Sequence, residues 1–306
     1  MSFNITLVAV AVMLLYAVPG YIMIKTKTIT PESIPAFAKL LMYVCQPCLT
    51  VYSFAKVPYT TKLLKEIILF FIITLVLMMV ILAIFYVLFS KKRSDIGYRV
   101  SNVGVCFGNV AFMGVPLVES ILPEYPQAVI FCSIFLLSMN ILGWTAASAI
   151  ITCDKKYISI KKVLLNPAVL SLLVALPLFF TGTVIPGELS NMITILGKMT
   201  TPLCMLIMGM RLATVEVKDI FTNRLQYFTV FMKQIVMPLI ALAIAALLPV
   251  DENFKITLFI LCGCPVASVV LNFAEMLGEG QETAADMVLL GTLLSVITIP
   301  VMMLIV

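Results

Sequence analysis

Two stretches of this 306-residue chain set amide, hydroxyl and glycine positions beside prolines inside long apolar runs. The first is Phe107-Gly108-Asn109-Val110-Ala111-Phe112-Met113-Gly114-Val115-Pro116; the second is Cys262-Gly263-Cys264-Pro265-Val266-Ala267-Ser268, continuing to Asn272. Proline lacks a backbone donor and crowds the preceding turn, so each stretch is expected to break a helix and free carbonyls that lipid cannot satisfy. Gly108 and Gly114 allow close backbone approach, Asn109 offers an amide donor and acceptor, and Pro116 suits the first turn of a restarting half-helix. Ser268 and Asn272 are four apart and share a helix face. A restarting helix presents unpaired N–H groups and a partial positive charge. Two such starts crossing near the membrane midplane, with no fixed formal charge beside them, suit an anion, most simply a carboxylate. The candidate substrate-binding residues are therefore Gly108, Asn109, Met113, Pro116, Pro265, Ser268 and Asn272. Gln46, which precedes the proline of another apolar run, joins them. For any single proline the competing reading is a packing kink; the paired, glycine-flanked positions argue for a site.

Ionisable residues within apolar runs form a second candidate group. Lys233 is the most deeply placed cation, with Pro238 one turn on, and Glu275 and Asp286 are the acids it could face. They could anchor a mobile bundle or couple protons to transport. Alternatively the acids sit near helix ends while Lys233 snorkels or pairs structurally.

Other chemistries are excluded. The chain has no histidine, so it holds neither a zinc-protease motif nor a Ser-His-Asp triad, and no phosphate-binding loop appears. It is not expected to be an enzyme or to carry a cofactor or metal, although coupling to protons or sodium is compatible with it. Cys45 and Cys48, and Cys262 and Cys264, are closely spaced but lie in apolar runs, where cysteine is ordinarily a small buried residue.

The elements that must position these residues are transmembrane helices. Hydrophobic residues make up 62% and charged residues 11% of the chain, with a mean hydropathy of +1.15, far from soluble averages. Apolar runs of about 20 residues recur almost end to end, the length that spans a bilayer core. A transmembrane barrel would alternate polar and apolar residues instead. Ten spans are expected, at 3–24, 34–54, 64–89, 98–118, 127–152, 162–181, 189–212, 221–248, 254–277 and 283–306. The first lacks a basic leader and cleavage site and reads as a retained helix.

Loop cations orient the bundle. Lys25 and Lys27, then Lys91, Lys92, Arg93 and Arg99, then Lys155, Lys156, Lys161 and Lys162, then Arg211, Lys218 and Arg224 all fall on one side. By the positive-inside rule that side is cytoplasmic and both termini lie outside. Lys56, Lys62 and Lys65 are the exception. The net charge of +5 belongs to this pattern and not to nucleic-acid binding. Prolines recur in spans two and seven (Pro47, Pro202) and in spans four and nine (Pro116, Pro265), as if in two five-span halves. An odd number of spans per half inverts the second, a design associated with alternating access.

The stretch from Asn109 to Leu117, the segment from Pro265 to Ala274 and the closing run from Gly291 through Ser295 to Pro300 resemble the auxin efflux carrier family. That family includes plant PIN carriers and bacterial malonate and malate permeases, and the resemblance covers essentially the whole chain. It implies two inverted five-helix repeats, similar to sodium/proton antiporters and bile-acid transporters, with helices four and nine broken and crossing. It also implies a dimerising scaffold (1–60 and 154–215) and a transport domain (61–153 and 216–306) that moves as an elevator. Asn109, Pro116 and Pro265 map onto the crossover that holds the substrate carboxylate. The short loop between spans five and six suggests a bacterial-type member in the inner membrane, and Asn272 lies further from Pro265 than residues expected to touch substrate.

The expected function is secondary-active or facilitative transport of a small organic anion such as malate, malonate or an auxin-like acid, by a homodimer embedded in lipid. The alternatives are a cation/proton antiporter, which would need carboxylates at the crossing, and a membrane receptor that binds without transporting.

Overall fold

The structure is a computed structural model that describes residues 3–214 and 223–306. Phe221, at the expected start of span eight, Lys218 of the fourth basic cluster and the domain boundary at 215/216 lie outside the described residues.

Every apolar run folds as a helix, because only a helix satisfies its own backbone in hydrocarbon. We name them α1 (Phe3–Lys25), α2 (Pro31–Lys56), α3 (Thr61–Leu88), α5 (Gln127–Thr152), α6 (Lys155–Thr181), α7 (Gly187–Ala213), α8 (Arg224–Ala246) and α10 (Gln281–Met302). The last seven are long and apolar enough to cross a membrane. The fourth and ninth are each two half-helices: α4a (Ile96–Cys106) and α4b (Val110–Ile121), then α9a (Glu252–Gly263) and α9b (Val269–Leu277). The fold is thus the expected all-helical bundle with helices four and nine interrupted.

Packing follows the order of an inverted repeat. α1 lies along α7, and α2 along α6. The first contact is set by glycines on both partners: a Cβ on Gly20 would run into the carbonyl of Leu206, and one on Gly209 into the carbonyl of Ala17. Small residues let helix backbones approach in lipid, where apolar area gives little drive to associate. Buried hydroxyl pairs cross other contacts, with Thr74 meeting Ser138 at 2.8 Å between α3 and α5 and Ser101 meeting Thr229 at 2.6 Å between α4a and α8. The outer surface stays apolar, as lipid requires: Leu15, Val87 and Ile297 are each more than 60% exposed.

The expected break near Pro116 is displaced. The interruption falls at 107–109, and Pro116 lies inside α4b, two residues past a π-turn at Val110–Gly114. Pro47 and Pro238 likewise follow π-turns, at Leu41–Cys45 and Met232–Val236. A π-turn widens the helix locally, so the ring is accommodated without ending it. Pro265 does stand in a break, at 264–268.

Candidate functional site

The two breaks meet face to face. At 107–109 and 265–267 the chain leaves the helix, and the segments pair antiparallel: Asn109 N–H donates to the Pro265 carbonyl at 2.7 Å and Ala267 N–H to the Phe107 carbonyl at 2.9 Å. Gly108 lies opposite Val266. Each break therefore supplies hydrogen-bond partners that the other lost by leaving the helix, which is how broken backbone survives at membrane depth. Gly108 is the close-approach position, since a Cβ there would stand 3.1 Å from Lys233 Nζ and 3.2 Å from the Leu261 carbonyl. Gly108 and Val266, not Pro116 and Pro265, are the positions facing each other across the two halves. The same number of residues separates Gln46 from Cys204, whose side chains meet on one atom as described below.

Both half-helices that restart after the crossing begin with an unmade cap. Asn109 precedes α4b and Ser268 precedes α9b, and neither side chain bonds the first turn behind it. Both instead line one small cavity of about 30 Å3 with Phe112, Arg211, Thr292 and apolar neighbours. That is room for about one water. Two helix starts aim partial positive charge at it, and Arg211, in the last turn of α7, adds a full charge 5.3 Å from the centre of the Phe112 ring.

Arg211 and Lys233 correct the expectation that no formal charge stands at the crossing. Arg211 closes the expected span 189–212 and is grouped there with the cytoplasmic cations of the turn that follows. Its signal was the arginine's place within the helical run Cys204 to Ala213. Lys233 is fully buried, and its Nζ donates to the Cys262 carbonyl at 2.7 Å. The ammonium thus satisfies a carbonyl at the C-terminal end of α9a, where the helix dipole favours a cation. It does not face Asp286, which accepts from Gln226 Nε2 at 2.9 Å, nor Glu275, which is exposed on α9b.

The other candidates are dispersed. Met113 is buried and its Sδ accepts from Ser295 Oγ at 3.6 Å. Asn272 is exposed and is not among the residues that line the cavity. Gln46 donates from Nε2 to the Ala111 carbonyl at 3.1 Å, and Cys204 Sγ donates to the same oxygen at 3.3 Å. In the π register of that turn, Ala111 is the carbonyl that the missing N–H of Pro116 would have served. Two neighbouring helices, α2 and α7, serve it instead. Glu119, further along α4b, accepts from Thr201 Oγ1 at 2.6 Å, a second polar tie to α7. Among the described residues no cluster of histidine, cysteine, aspartate or glutamate could hold a metal ion.

An all-helical bundle of membrane-crossing length, with two interrupted helices crossing beside a small cavity, has the architecture of a membrane transporter. The chain matches the family model described as membrane transport protein over residues 5–303. It belongs to that family, the auxin efflux carrier-type membrane transporters. No curated protein matches it.

Proposed function

We propose that the protein carries a small organic anion, a mono- or dicarboxylate, across the membrane by alternating access. The observation that carries this reading is the convergence of two uncapped half-helix starts, Asn109 and Ser268, with the Arg211 guanidinium on one cavity. Each supplies donors or positive potential and none supplies negative charge, the pattern that recognises a carboxylate.

The packing of α1 on α7 and of α2 on α6 supports a scaffold distinct from the helices that bear the crossing, and the polar ties from Gln46, Cys204 and Thr201 to α4b lie along the boundary between them. In this reading α3–α5 and α8–α10 move as an elevator against that scaffold, which pairs with a second copy. The basic ends of α3, α5 and α6 face the cytoplasm of a cell's inner membrane, leaving both termini outside. Cation/proton antiport is not favoured, since no carboxylate lines the cavity.

The test is flux in liposomes containing the purified protein. Saturable uptake of a radiolabelled dicarboxylate, weakened by at least about tenfold in Asn109→Ala, is expected; that factor corresponds to 1.4 kcal/mol of lost interaction. Unchanged flux in the variant removes the site assignment. Ion-driven proton movement without any organic anion would instead favour antiport, and tight binding without flux a receptor.

A further inference from the structure

A cavity of about 880 Å3 shares no residue with the crossing. It is a groove between α3, the start of α4a and the end of α5. Its long wall is apolar, with Val76, Met79 and Val80 on one side and Ala146, Ala149 and Ile150 on the other. The three α3 residues are each 46–48% exposed on the lipid-facing surface, so the groove opens where acyl chains run.

One end of the groove is basic. Arg93, Arg99 and Lys155 line it, and the single lining acid, Asp154, is already engaged by the ammonium and backbone N–H of Lys156 at 2.8 and 2.9 Å. Arg93 donates to the Tyr86 carbonyl and lies 3.4 Å over the Tyr86 ring. Arg99 donates to the Ile151 carbonyl and, at 3.4 Å, to the Cys153 sulfur; its one carboxylate partner among the described residues is the 67% exposed Glu279, at 3.9 Å, a pair that solvent weakens. The Nε of each arginine is buried with no acceptor among the described residues. Buried donors are rarely left unpaired, and these two belong to arginines that line the same groove.

We propose that this groove holds an anionic phospholipid, its phosphate on Arg93 and Arg99 and an acyl chain along the α3–α5 wall. A free anion would leave the apolar wall unfilled. A zwitterionic lipid would bring its own cation against Arg93, Arg99 and Lys155. Basic pockets at the ends of transmembrane helices select acidic headgroups on these grounds.

The experiment uses the full-length protein in detergent, offered phosphatidylglycerol, phosphatidylcholine or inorganic phosphate. It reads the apparent melting temperature and the lipid retained in native mass spectrometry. Phosphatidylglycerol is expected to raise the melting temperature and to be retained over phosphatidylcholine by at least about tenfold, one decade of affinity. Inorganic phosphate is expected to do neither. The Arg93→Gln/Arg99→Gln variant should lose the preference. Because Arg99 also holds the end of α5, Ala149→Phe, which fills the wall and keeps both arginines, is measured beside it and should reduce lipid retention. Equal shifts with the two lipids would overturn the proposal, as would inorganic phosphate matching phosphatidylglycerol or full lipid retention in Ala149→Phe.

Discussion

The backbone N–H of Asn109 donates to the carbonyl of Pro265 at 2.7 Å. Residues 156 positions apart in sequence thereby share one bond at the middle of the bundle, and the starts of α4b and α9b are held as a single unit. Anything that parts these strands also parts the two positive helix starts aimed at the cavity.

Gly108→Ala tests that unit directly. The added Cβ would press on Lys233 Nζ and the Leu261 carbonyl at 3.1–3.2 Å, tighter than ordinary contact, while the cavity side chains are untouched. Liposome flux is expected to fall several-fold, with a stability loss of about 1–3 kcal/mol from overpacking. Wild-type flux in a stably folded Gly108→Ala protein would show that the crossing tolerates separation.

The Ala111 carbonyl gives a second test, by a double-mutant cycle. Gln46→Leu removes one of the two side-chain donors on this oxygen, leaving Cys204 Sγ, and is expected to cost about 1 kcal/mol, the net contribution of one hydrogen bond. Pro116→Ala returns a backbone N–H to the turn. In that background the cost of Gln46→Leu should fall by about half, since the carbonyl regains a donor of its own. Additive thermal shifts would mean that Gln46 acts elsewhere.

Arg211 separates an anion site from a neutral one. Arg211→Gln should raise the KM for carboxylate flux by at least about tenfold, or 1.4 kcal/mol. Arg211→Lys should fall between the two, because an ammonium keeps the charge but loses the planar fork. Identical flux kinetics in all three proteins would place the arginine outside the substrate's reach.

The glycine contact between α1 and α7 is structural, and two substitutions distinguish packing from backbone strain. Gly209→Val drives a side chain into the Ala17 backbone and should lower the melting temperature by several degrees or abolish folding, as overpacking costs typically about 1–3 kcal/mol and sometimes more. Gly182→Ala meets open space but keeps φ at +61°, so about 1 kcal/mol of left-handed strain is expected. Comparable melting losses in both would contradict the close packing of these helices.

Much of this was legible in the sequence. The bounds of α5, 127–152, emerge unchanged because a proline and a basic loop punctuate an otherwise uniform run. The break at Pro265 also stands, since the helix before it ends at Gly263 with no π-turn to carry it past the proline. Pro116 misled because a proline within a helix has two outcomes, a break or a widened turn. Which one prevails depends on whether neighbours can serve the freed carbonyl. Here Gln46 and Cys204 do, from helices remote in sequence. Arg211 was obscured for a similar reason: a cation at the end of an apolar run groups with the turn that follows, and only the tertiary structure places it on one cavity with Asn109 and Ser268.

The sequence by itself determined the class of protein. Its apolar run lengths admit only membrane helices, because lipid leaves a backbone no other way to satisfy itself, and its motifs are those of a transporter family. The tertiary structure decided where the helices part and which charges attend the gap. Those are properties of pairs of segments: a broken strand at 107–109 is stable only against 265–267, and the Lys233 ammonium is satisfied only by a carbonyl that the second break exposes.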